Sequence, residues 1–299
     1  MNTTFPYCHL VQLNSSGGFQ LRAPRHLHNW FQQQCMDLLM NSSAADVSVQ
    51  NRLLSLWRAN GADSYLAQLS LRCFVSHQIL RVCTQLANQF GDFYSFTRDD
   101  LLPLVLDDTG ETNHTYQPFT LEILNSYDGA KARLSTWAAQ LTRHHDELNR
   151  YLLGKGLYRA SDWAILNDTT PEQLRRVLAS YHGWGEAEIA AAQNLLAQYH
   201  QVYRQARLNQ RLQGQRLGRC QPPTPQQLRQ ILPQLQPAES LARLKGLAAQ
   251  LRQYRIHVRG GHPMTFLAAD LGQDFSLENL PDPEHVNRVE GDDDQVEFL

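Results

Sequence analysis

Two short stretches of this chain bring metal-ligating or anion-binding residue types close together. His144, His145 and Glu147 fall in one run, and Arg259-Gly260-Gly261-His262 has the glycine content of a backbone nest for phosphate. Neither spacing completes the chemistry. Adjacent residues on a helix point about 100° apart, so His144 and His145 do not easily chelate one ion. A glycine pair after a basic helical run is also a common way to end a helix. The phosphate-cradling glycine loop, the G-x-S-x-G elbow and the H-E-x-x-H signature do not occur. Cys8, Cys35, Cys73, Cys83 and Cys220 are odd in number and contain no C-x-x-C pair, which points to free thiols rather than a zinc or disulfide framework. The sequence therefore predicts no catalytic residue, no metal, no cofactor and no small-molecule substrate.

Charge offers more. The chain has a formal net charge of −2, yet residues 131–219 hold 13 Lys/Arg against 7 Asp/Glu. Only Lys131, Lys155 and Lys245 are lysines, so 24 of the 27 basic residues are arginines, whose planar fork suits phosphates and guanine edges. From Ile189 to Ala238 there is no carboxylate at all, while Arg204, Arg207, Arg211, Arg216, Arg219 and Arg229 fall inside. Glu186–Leu212 reads as a helix with a rough apolar stripe of Ile189, Leu195, Leu196, Val202 and Leu208. Arg204, Arg207 and Arg211 follow at spacings of three and four and so share a face, with Tyr199 and Tyr203 interleaved. That pattern suits a nucleic-acid backbone; a solvated helix face with a basic last turn produces it too.

A second recognition candidate is Tyr158–Tyr181. Ser161 caps a helix holding Trp163, Ile165 and Leu166, and Asn167-Asp168-Thr169 forms a polar turn. Thr170 then caps a second helix, with Pro171 first and Gln173 third. Leu174, Val177 and Leu178 form its buried side, leaving Arg175 and Arg176 outward. This is the outline of a helix-turn-helix that turns two arginines toward DNA, and equally of a structural helical hairpin.

The elements that must position these residues are helical. Leu71–Phe90 is amphipathic through Phe74, Val75, Ile79, Val82 and Leu86. Thr97 caps a helix carrying Asp99, Asp100, Leu101 and Leu102, its carboxylates near the positive end of the helix dipole. Leu121, Ile123, Leu124 and Tyr127 precede the Asp128-Gly129 turn. Ser135 and Thr136 then read as caps for one helix with Trp137, Ala138, Leu141, Leu148 and Leu152 on its apolar side. An apolar helix, an aromatic-Asp pair, a glycine turn, basic residues and Leu-Ser-Thr-Trp opening the next helix resemble region 2 of the sigma-70 family of transcription initiation factors. The resemblance spans roughly residues 65 to 155 and is to divergent, cyanobacterial-type sigma-like proteins. Pro103 and the Asp107–Pro118 segment depart from the family pattern, and no C-terminal helix-turn-helix follows Pro222. The resemblance implies that Asp99, Asp100, Leu101 and Leu102 grip the RNA polymerase core, and that the chain binds DNA and performs no chemistry of its own. A helical scaffold or regulator that binds another protein without nucleic acid is the alternative.

The expected architecture is all-α. Residues 1–20 form a flexible arm, 21–157 the sigma region 2-like helical domain and 158–219 the hairpin and basic helix. Residues 220–262 are a proline-rich linker with an amphipathic helix, and 263–299 an acidic tail. Within 21–69, helices are expected around Leu27–Met40 and Val47–Leu69. A hydrophobic fraction of 42% supplies a core, and no run reaches the roughly 18 apolar residues of a membrane span. The N-terminus lacks a charged-then-apolar signal pattern, so a cytoplasmic protein is expected.

Overall fold

The computed structural model describes residues 5–41, 45–111, 116–214 and 220–262. It is all-α apart from one two-stranded hairpin among the described residues. The described chain divides into two compact units, one up to Tyr151 and one from Leu152 onward. No described helix is long and apolar enough to cross a membrane.

The first unit is organised around one helix. Its elements are α1 (Phe5–Cys8), β1 (Leu10–Leu13), β2 (Phe19–Arg22), α2 (Leu27–Asn41), α3 (Ala45–Arg58) and α4 (Ser64–Leu86). After a π-helical turn at Ala87–Gly91 come α5 (Asp92–Tyr94), α6 (Arg98–Leu101), α7 (Phe119–Ser126), α8 (Leu134–Arg143) and α9 (Asp146–Gly154), the last crossing into the second unit. Every residue of α4 from Leu69 to Ser76 is buried, so this stretch has no solvent face at all. A helix buried all round needs neighbours on every side. Here α1, β1, α3, α7 and α8 supply them.

The segment from Phe5 onward is one of those neighbours, not a loose arm; residues 1–4 of the expected arm lie outside the described residues. Tyr7, Leu10 and Val11 are fully buried, with the Tyr7 ring stacked between Phe31 at 5.3 Å and Phe74 at 5.0 Å. The Val11 N–H donates to Ser76 Oγ at 3.0 Å, and β1 pairs antiparallel with β2 from Leu10 opposite Arg22 to Leu13 opposite Phe19. A short alternating pattern beside a glycine-bearing turn looks polar in sequence. Its apolar half is buried only because α4 presents Phe74 and Ser76 there.

Helix ends follow local chemistry. Ala164 N–H donates to the Ser161 hydroxyl at 3.2 Å. Thr170 and Gln173 exchange reciprocal bonds at 3.0 and 3.2 Å, completing a capping box. The expected Val47–Leu69 helix is instead two, α3 and α4, with Asn60 left-handed at φ 51° between them. The expected Trp137 helix is also two. It breaks at His144-His145, and Arg133 rather than Ser135 or Thr136 sits at the cap of α8.

The second unit comprises α10 (Asp162–Asp168), α11 (Pro171–Arg176) with a π-helical turn at Val177–Tyr181, and α12 (Glu186–Tyr199). A second π turn at His200–Arg204 leads into α13 (Gln205–Leu212), and α14 (Pro225–Ile231) and α15 (Pro237–Val258) complete the unit. One core joins Trp163, Leu166, Leu174, Leu178, Leu196, Tyr199, Leu228, Ile231, Leu244 and Leu251. Cys220–Pro237 is therefore not a detached linker among its described residues. Thr224 and Gln227 cap α14, and Leu228 and Ile231 plug into the same core as the hairpin. On α15, Arg252 pairs with Asp162 at 2.7 Å. Arg255 reaches the carbonyl of Ile165 and the hydroxyl of Thr169, satisfying the C-terminal end of α10.

Candidate nucleic-acid interface

The basic helix is the most exposed element of the second unit. No described side chain of α13 is buried. Arg204 and Arg211 are exposed and pair with none of the described carboxylates, while Arg207 is half-buried beside the Tyr203 hydroxyl. The three arginines keep a common face because all lie at or after the end of the π turn, where α-helical spacing resumes. Leu208 and Leu212 lie alongside them, 46% and 76% exposed. Arg216, Arg219 and the acidic tail lie outside the described residues.

Tyr199 and Tyr203 correct the sequence expectation. They are 0% and 4% exposed, stack on each other at 4.9 Å, and donate their hydroxyls inward to the carbonyls of Trp163 and Gln221. Burial pushes the Tyr203 hydroxyl pKa up to about 12 and that of Tyr199 higher still. Neither ring is available to stack on a base. The physical reason is helical spacing: Ile189, Ala192, Leu196, Tyr199 and Tyr203 follow one another by three or four residues and face the core together, while Leu208, counted in the apolar stripe, turns to solvent.

Arg175 and Arg176 are exposed on α11, on a different helix from the α13 set. Arg175 forms an ion pair with Glu186 at 2.9 Å, an exposed contact worth about 0.2–1 kcal/mol that a phosphate can displace. The hairpin buries Leu174, Val177 and Leu178 as expected.

The four candidate polymerase-binding residues separate. Leu101 and Leu102 are fully buried, so they anchor α6 and present nothing to a partner. The Asp100 carboxylate accepts from both the N–H and the hydroxyl of Thr97 at 2.7 Å, closing the helix N-terminus. Asp99 remains outward, 47% exposed and paired with Arg98 at 2.9 Å. A helix of this length has its inward side consumed by packing and its first turn by capping.

The histidine and glycine motifs have structural accounts. His144 Nδ1 lies 2.8 Å from the Gln140 carbonyl, while the His145 ring packs edge-on against Phe119 at 4.6 Å. No group of His, Cys, Asp and Glu among the described residues is arranged to hold a metal ion. Gly260 and Gly261 end α15 in a Schellman motif. Gly261 N–H donates to Ile256 O at 2.9 Å and Gly260 N–H to His257 O at 3.0 Å, with Gly260 at φ 77°.

One charged cluster carried no sequence signal. Arg72, 1% exposed in mid-α4, is bound by both oxygens of Asp108, at 2.9 Å from Nε and 2.5 Å from one terminal nitrogen. Asp108 also accepts from Thr120 Oγ1 and from the Gly110 N–H. The Asp107–Pro118 segment, an interruption in sequence terms, thus neutralises a buried cation and leads into α7, whose Phe119 N–H bonds Asp107 at 3.0 Å. Comparison of the chain with family models, with curated proteins and with solved structures finds no match in any of the three.

Proposed function

We propose that the chain is a sigma-like transcription protein that binds DNA through phosphate contacts and attaches to RNA polymerase, with no chemistry of its own. One observation carries the DNA part. α13 spends none of its side chains on the core, and its Arg207 and Arg211 share a face with Arg204 of the preceding π turn inside a stretch free of carboxylates. Exposed arginines in such a stretch, Arg204 and Arg211 above all, match sequence-independent backbone binding. With Tyr199 and Tyr203 buried, base stacking has no part in it. The polymerase part rests on the region 2 resemblance; of that set Asp99 and Asp100 are exposed, and the Asp100 carboxylate is held by Thr97.

The test is fluorescence anisotropy of a labelled duplex across a salt series. Replacing Arg204, Arg207 and Arg211 with alanine should shrink the log–log salt slope by roughly 2.7, at roughly 0.9 per lost contact, and equally for unrelated sequences. An unchanged slope and affinity refutes phosphate binding by α13. Asp99→Arg should separately abolish co-purification with polymerase subunits. The alternative, a helical scaffold that binds protein alone, is favoured by the inward use of Leu101, Leu102, Tyr199 and Tyr203. It predicts no salt-dependent retention on DNA.

A further inference from the structure

Phosphate contacts do not account for Leu208 and Leu212. They lie one turn apart beside Arg204, Arg207 and Arg211, on a helix that contributes nothing to the core of its unit. An arginine stripe flanked by exposed leucines fits a partner that is acidic along one edge and apolar along the next. A second copy of α13 is a poor occupant, because it sets arginine against arginine.

Residues 263–299 lie outside the described residues, and their sequence carries ten acidic side chains against Arg288 alone. Within them Asp270, Asp274 and Glu278 repeat every four residues, and Leu271 and Phe275 run alongside at the same interval. This is the α13 pattern with the charge reversed. We propose that the Asp270–Glu278 segment docks on α13 of its own chain, its carboxylates on Arg204, Arg207 and Arg211 and its apolar pair on Leu208 and Leu212. The segment starts eight residues after His262, the last described position. At roughly 3.3–3.6 Å per extended residue, that stretch of chain spans up to about 28 Å. Tethering gives a local concentration of roughly millimolar, so even a peptide-grade affinity fills the site. A Debye length of about 8 Å confines the attraction to close docking, which the leucines supply. The inference shares α13 with the DNA reading but stands independently of it, since docking is measured with no nucleic acid present.

The experiment is hydrogen exchange of the α13 amides in the full chain without DNA. Asp270→Lys with Asp274→Lys and Glu278→Lys should speed exchange over residues 205–212 about tenfold. That is the ratio of a roughly millimolar effective concentration to a dissociation constant of about 0.1 mM. Arg204→Glu with Arg207→Glu and Arg211→Glu should do the same, and combining both sets should restore protection. Unchanged α15 exchange in each variant shows that the unit remains folded. Exchange that is insensitive to the tail reversal, or not restored by the combination, overturns the proposal. So does protection that rises with protein concentration, which assigns the face to a second copy.

Discussion

Asp108→Asn should be among the most damaging single substitutions in the first unit. It leaves Arg72 charged and 1% exposed, with a neutral amide in place of a carboxylate that bonds Nε, a terminal nitrogen, the Thr120 hydroxyl and the Gly110 N–H. Removing one member of a buried pair costs about 3–5 kcal/mol, because the uncompensated ion keeps its desolvation penalty. Typical domain stability is about 5–15 kcal/mol, so the substitution consumes roughly a fifth of it or more. The same reasoning predicts that Arg72→Met combined with Asp108→Leu recovers part of the loss, since no charge then remains buried while Thr120 and Gly110 still lose their acceptor. With two compact units present, a single global transition is a poor gauge, and exchange of the α4 amides reports the first unit directly. A single variant within about 1 kcal/mol of the parent would falsify the account and mean that solvent reaches Arg72. A double variant as unstable as the single would show that the loop geometry matters more than the charge.

Two further outcomes follow from burial. His77 sits half-buried with Nε2 3.0 Å from the His9 carbonyl, and burial lowers its pKa below the ordinary 6.5. The unfolded chain then takes up the proton first, so stability is complete above about pH 6.5 and falls as pH drops through that value toward the folded pKa. His77→Gln should flatten this dependence between about pH 7 and 5 in denaturation midpoints, and parallel curves for the two proteins would count against it. Burial pushes the thiols of Cys8 and Cys83 up to about 12 and Cys35 to about 11, and Cys73 is buried as well, whereas Cys220 is partly exposed. Native alkylation followed by mass spectrometry should label Cys220 rapidly and the other four only on unfolding; early labelling elsewhere contradicts the packing.

What the sequence determined by itself was short-range. Ser161, Thr170 with Gln173, and Thr97 with Asp100 sit at helix starts because a side-chain oxygen three residues from an unpaired N–H needs no distant partner. Gly260 ends α15 for an equally local reason, a left-handed backbone that other residues resist. The all-α class follows from the same helical spacing. The destination of each face was decided by tertiary structure. Tyr199 and Tyr203 point inward with Ile189 and Leu196 and Leu208 points outward because the core of the second unit covers that face and no other, and spacing alone does not say which side is covered. Tyr7 and Val11 join the core because α4 leaves Phe74 and Ser76 for them to cover, and no pattern within residues 5–22 encodes that vacancy. Arg72 and Asp108 meet across thirty-six positions, and only the fold removes water from around both. Whether an arginine binds a partner or completes a core depends on what reaches it from elsewhere in the chain, and that is long-range information.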